Sequence, residues 1–230
     1  MLRKITLGFL FLFLLKSASA VNYYWVGGTG YWLNAASHWA TTSGGAVFYS
    51  TAPTAADNVF FDGNSGLNTS DTVYYDFNTV ITVKDFTVNG IADSVWFHNN
   101  NNGQTFIHGS LYLQQKLYMS GLSPWFDCTL KSNNPGNTIT TSGTKVDLNI
   151  SCFGDYSLTD SLIYSNISVI SGTFNSNNHY MECSFGASAT TYPVVVNLGH
   201  SDIHANGWNM NADTYLTLHA DSTVIYYTPI

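Results

Sequence analysis

Apolar and polar residues alternate along this chain in short runs, and nowhere after residue 20 does an apolar period of 3.6 persist for three turns. The clearest run is Val146-Asp147-Leu148-Asn149-Ile150-Ser151-Cys152. Successive side chains of a strand point to opposite faces, so Val146, Leu148, Ile150 and Cys152 would share a buried face and the polar residues a wet one. Ile81-Thr82-Val83, Phe86-Thr87-Val88, Leu111-Tyr112-Leu113 and Leu216-Thr217-Leu218 repeat the pattern in miniature. Between the runs stand Asn99-Asn100-Asn101-Asn102-Gly103, Asn133-Asn134-Pro135-Gly136 and Asn175-Ser176-Asn177-Asn178. Asn and Gly tolerate left-handed backbone angles and Asn bonds its own backbone, so these clusters predict corners. The strong helix former Glu occurs once, at Glu182. The predicted class is all-β.

A spacing of 22 residues aligns Phe86, His108, Leu130, Cys152, Phe174, Val196 and Leu218. Two positions earlier it aligns Lys84, Phe106, Cys128, Ile150, Gly172, Val194 and Leu216. Two adjacent columns at one period predict one coil per repeat, in which stacking rather than the single coil buries the apolar face. A β-solenoid follows, with a β-sandwich as the alternative, since short strands at regular spacing also suit two packed sheets.

The first twenty residues are of another kind. Arg3 and Lys4 precede an apolar stretch from Ile5 to Leu15, and Ala18-Ser19-Ala20 places small residues where a signal peptidase cuts. The stretch is shorter than the roughly 20 residues a membrane span needs. Residues 1–20 therefore read as a signal peptide, no membrane span is expected in the mature chain, and the location is secreted, extracellular or cell-surface. Loss of Arg3, Lys4 and Lys16 leaves four lysines and no arginine against fourteen acids, moving the formal charge from −7 to −10. No basic patch remains to neutralise phosphates, which excludes nucleic acid as a partner. Cys128, Cys152 and Cys183 form no CxxC spacing. At a 22-residue period Cys128 stacks on Ile150 and lies diagonal to Cys152, beyond disulfide reach, so three free thiols are expected.

Candidate chemistry is sparse. Trp25, Trp32 and Trp39 could stack on sugar rings or, buried, close the open end of a solenoid. His200, Asp202 and His204 would share one face of a strand, a spacing able to hold a divalent metal or to form an ordinary polar face. Asp57, Asp62 and Asn64 could feed oxygens to Ca²⁺ or serve as acidic turn residues. Gly27-Gly28-Thr29-Gly30 has no following helix or nearby lysine, so it reads as a turn and not a phosphate cradle. A polysaccharide hydrolase would need two carboxylates facing one cleft, and a lyase a cationic base beside an acidic cluster. Neither pattern stands out, and no Gly-x-Ser-x-Gly occurs. No catalytic residue and no cofactor is expected.

The amino-terminal stretch Trp25-Val26-Gly27-Gly28-Thr29-Gly30-Tyr31-Trp32, followed by Ser37-His38-Trp39, Ser43-Gly44-Gly45 and Asp57-Asn58-Val59-Phe60-Phe61-Asp62, resembles the start of secreted and cell-surface adhesin-like proteins of Bacteroidota-type bacteria. Gly172-Thr173-Phe174-Asn175, Val196-Asn197-Leu198-Gly199, Trp208-Asn209 and Leu216 to Thr223 resemble the solenoid repeats of the same proteins. The resemblance implies a right-handed parallel β-helix. It would have an amino-terminal cap segment at 21–62 and coils over 63–230, incomplete at the carboxyl end because the sorting domain common in that family does not follow. The function expected is a non-catalytic structural or adhesive β-solenoid. A carbohydrate-binding module is the alternative, and a polysaccharide lyase or hydrolase a more distant one. Expected partners are a polysaccharide or the surface of a host or neighbouring cell, together with self-association through the carboxyl-terminal edge.

Overall fold

Short strands separated by corners wind into stacked parallel coils, and each coil visits the same faces in the same order. The structure is a computed structural model that describes residues 19–76, 79–92, 95–99, 104–114, 117–121, 126–132, 134–211 and 215–227. The segment expected to be a signal peptide, apart from Ser19 and Ala20, lies outside the described residues, as do Asn100 to Gly103, Lys116, Asn133 and Thr228 to Ile230. The single helix among the described residues is the four-residue Ala35–His38. No helix among them is long and apolar enough to cross a membrane.

A first sheet runs the length of the molecule through Asn58–Phe61, Phe86–Val88, Leu111–Leu113, Asn137–Thr140, Tyr156–Leu158, the end of Leu162–Asn175, Val194–Asn197 and Leu216–His219. A second, of four strands, holds Gly30–Tyr31, Thr72–Tyr75, Val95–Asn99 and Leu117–Gly121. A third starts at Val80–Val83, Gln104–Ile107 and Phe126–Lys131. It continues through the longer Lys145–Phe153, Leu162–Asn175, Met181–Ser188 and Asp202–Asn211, then Val224–Tyr227. Among the described residues every pairing between strands is parallel except Asn22–Trp25 with Trp39–Ala40, and the β-sandwich alternative is thereby excluded. The fold is a β-solenoid.

The core consists of columns of inward side chains. Val59, Phe86, Leu111, Ile139 and Leu158 form one, and Ile150, Ile167 and Phe185 continue another from Ile81 and Cys128. All are buried. Each such apolar side chain contributes about 1.5–3 kcal/mol, and the ladders pair the backbone that burial strips of water. The expected inward set Leu148, Ile150 and Cys152 is buried, while Val146's side chain lies outside the described residues.

The fixed period of 22 needs correction. It holds where Cys128 pairs Ile150, Leu130 pairs Cys152, and Phe174, Val196 and Leu218 stand in register. It fails at Phe86, which pairs Leu111 and not His108, and at Cys152, which pairs Val169 and not Phe174. The predicted columns joined two sheets. Stacking demands that inward side chains coincide on each face, whereas the corner between faces can lengthen or shorten freely, so the coil shrinks to the 17 residues between Ile150 and Ile167.

The amino-terminal residues build the first rung. Tyr23 pairs Val59 on the first sheet, and Gly30 pairs Val73 on the second. The indoles of Trp25, Trp32 and Trp39 lie across this end of the interior, with ring centroids 5.7, 6.1 and 5.6 Å from Phe61.

Candidate binding notch at a solenoid corner

Where the long strands turn from one face to the next, their lengths disagree by single residues. Ile163 pairs Glu182 and Ser165 pairs Cys183, so Tyr164 has no counterpart in Met181–Ser188. On the other side Cys183 pairs Ala205 and Ser184 pairs Gly207, so Asn206 is the unmatched residue. Bulges of this kind bend a strand and re-aim a side chain. Here two coils carry one and the coil between them does not, which opens a notch between Tyr164 and Asn206, two rungs or roughly 10 Å apart. The notch encloses about 330 Å³ and is lined by Tyr164, Tyr180, Glu182, His204, Ala205 and Asn206.

Each wall has a cause. Tyr164 takes a left-handed φ of 56°, uncommon for a non-glycine residue, and the residue is 45% exposed. The Lys145 ammonium lies 3.2 Å from the centre of its ring. Lys145 pairs Ile163 from the side opposite Met181–Ser188, so it backs the ring and leaves the other face toward the notch. Glu182 and His204 are paired neighbours on adjacent rungs. The His204 imidazole lies between Tyr180 and Tyr226, at 5.3 and 4.6 Å. Burial raises the Tyr180 phenol above its ordinary value, and the charge of Glu182 and their mutual hydrogen bond push the same way. The phenol therefore stays protonated at neutral pH and donates to the carboxylate. One carboxylate, one imidazole, one amide and two phenols beside an open aromatic face make a set suited to hydroxyl groups.

The residues singled out in the sequence lie differently. Trp25, Trp32 and Trp39 are at most 1% exposed and pack edge to face on one another. A sugar needs an open ring face, so these three indoles are corrected from carbohydrate contacts to core. Their N–H groups hold the loop together: Trp25 Nε1 donates to Gly28 O at 2.9 Å and Trp39 Nε1 to Trp32 O at 2.8 Å. His38 stacks on Trp25 with centroids 4.7 Å apart and meets Gly30 so closely that any Cβ there would overlap the imidazole. The Gly-Gly-Thr-Gly run is thus a turn shaped by its neighbours. Asp57 accepts from Thr54 N at 3.0 Å, and Asp62 accepts from Asn64 N at 2.9 Å, both as turn caps.

The metal expectation at His200, Asp202 and His204 is also corrected. His200 sits in the turn before the strand, its Nδ1 bonded to Ser222 Oγ, while His204 is held between tyrosines. Among the described residues no group of three His, Cys, Asp or Glu side chains is arranged to hold a metal ion. Cys128, Cys152 and Cys183 are buried and unpaired, with Cys128 on Ile150 and Leu130 on Cys152 as the register argument required.

Outward aromatics form rows of their own. Tyr31 stacks on Tyr74 at 5.2 Å, and Trp96 on Tyr118 at 4.6 Å with planes 15° apart. In each pair the two rings cover one face of each other. Tyr164 differs because it lines the notch. The sequence marked His204, as a metal ligand, but not Tyr164, Tyr180, Glu182 or Asn206, because the notch arises from a length mismatch that only the register reveals. Comparison with known proteins finds no matching family model, and no curated protein or solved structure of significant similarity.

Proposed function

We propose that this chain is a non-catalytic, secreted or surface-exposed β-solenoid serving as a structural and adhesive element of a bacterial cell-surface protein. The observation that carries this is the repetition of uncharged polar side chains, rung after rung, along the outer faces. Asn197 donates to Asn175 at 2.7 Å and Asn175 to Ser157 at 3.4 Å. Thr140 and Thr159 share a 2.6 Å bond, and Asn58 donates to Asn22 at 2.9 Å. Such rows offer a long polymer many equivalent weak contacts, and the total gains from their number. The resemblance of the amino-terminal motif to adhesin-like proteins supports the same assignment, and the leader at residues 1–20 supports export.

The test is retention of microspheres carrying the purified chain on surfaces coated with polysaccharide or with cells. Retention should climb steeply with coating density and change little with added salt, since the rows are uncharged. Retention no better than that of albumin-coated spheres at every density retires the proposal. Release of soluble reducing sugar would replace it with an enzymatic one.

A further inference from the structure

We propose that the notch between Tyr164 and Asn206 is a binding subsite for one neutral pyranose unit. The volume of about 330 Å³ sits at the lower end of ligand pockets, room for a single small ring. Tyr164 supplies one flat aromatic wall, whose electron-rich face attracts the weakly positive C–H groups of a pyranose. Opposite and below it stand the Asn206 amide, the Glu182 carboxylate and the His204 imidazole, which between them donate to and accept from ring hydroxyls.

Other ligand classes fit less well. A divalent cation of the calcium type wants six to eight oxygens, and the lining has one carboxylate. An anionic sugar would face Glu182 without a cation in the notch, because Lys145 is behind the Tyr164 ring. A cationic ligand would share that ring with the Lys145 ammonium on its other side, where two positive charges repel. The site rests on the adhesive proposal only for its ligand class. Bead retention without notch binding would move adhesion to the outer rows, and notch binding without retention would leave a carbohydrate-binding chain that is not adhesive.

Saturation-transfer NMR and titration calorimetry of the purified chain with the methyl glycosides of glucose, galactose, mannose and N-acetylglucosamine, and with glucuronic acid as the charged comparator, test it. At least one neutral glycoside should receive saturation, and glucuronic acid should not. Tyr164→Gly should weaken binding by about tenfold or more while the fold persists, since glycine accepts the left-handed φ. Tyr164→Phe, which keeps the ring, should bind within a few-fold of the parent. Glu182→Gln should cost about tenfold through loss of a charged acceptor. Absence of saturation in every neutral glycoside overturns the assignment. So does binding unchanged in both Tyr164→Gly and Glu182→Gln, or glucuronic acid bound as well as the neutral sugars.

Discussion

Indole N–H groups at the amino-terminal end do two tasks at once, filling the core and satisfying loop carbonyls that burial cuts off from water. Trp39 is fully buried, packs on Trp25 and Trp32, and donates to Trp32 O. Trp39→Ala should therefore cost about 3–5 kcal/mol in urea denaturation. Trp39→Phe, which keeps most of the volume but orphans the carbonyl, should cost about 1–3 kcal/mol. A Trp39→Phe variant as stable as the parent would show that the hydrogen bond contributes nothing, and equal costs for the two variants would show that the ring volume does not. The buried thiols predict a pH dependence. Burial pushes Cys152 and Cys183 up to about 12, the charge of Glu182 adding to the shift at Cys183. The folded state thus holds these protons more tightly than the unfolded chain. Their contribution is complete below the unfolded value near pH 9 and is lost as pH rises toward 12, at up to about 1.4 kcal/mol per pH unit for each thiol. Cys152→Ala should start less stable yet lose stability more gently between pH 9 and 10.5. An unchanged alkaline slope would place the titration elsewhere.

Corners decide how strands are joined, and there glycine is required by different causes. Gly154 has a φ of 132°, and a Cβ on it would overlap the Ser132 carbonyl of the neighbouring coil. Gly143 has a φ of 62° with nothing within 4 Å of a Cβ. Gly143→Ala should cost about 1 kcal/mol from backbone strain alone, and Gly154→Ala at least about twice that, because strain and overlap add. Similar denaturation midpoints for the two variants would mean that neighbouring coils yield freely at corners. The same division explains what could be read from the sequence. Alternation such as Leu148, Ile150 and Cys152 is a direct imprint of inside and outside, so strands, core and fold class were legible. Asn- and Gly-rich clusters marked corners for the same reason. Coil length was not legible, because inward parity is preserved whether a corner holds one residue more or fewer. The notch was hidden for that reason: Tyr164 and Asn206 matter through what the strand Met181–Ser188 lacks between them. The tryptophans were ambiguous because aromatic residues serve a core and a sugar site alike, and only burial separates the two.

Along the whole molecule the interior columns are covered on both sides until the last described coil. Val194 and Val196 are fully buried beneath Leu216 and Leu218, and Ile203 beneath Ile225. Those successors continue the inward columns, yet Leu218 is 44% exposed, Ile225 41% and Tyr227 59%. The strands Leu216–His219 and Val224–Tyr227 each pair along one edge only among the described residues. An uncovered end of this kind offers apolar area and unpaired backbone groups together, the combination that draws strands of separate molecules into contact. Two such ends meeting about a two-fold axis would pair antiparallel and bury both sets of side chains. The purified chain is therefore expected to self-associate, with a sedimentation coefficient that rises with concentration. Leu218→Lys combined with Ile225→Lys should restore a monomer without unfolding it, since both side chains already reach solvent in the single molecule. A chain monomeric at every concentration would mean that this end is covered by residues outside the described set. Lysine variants that associate as strongly as the parent would move the contact to the outer faces, where the aromatic rows of Tyr31 with Tyr74 and Trp96 with Tyr118 are the next surfaces to test.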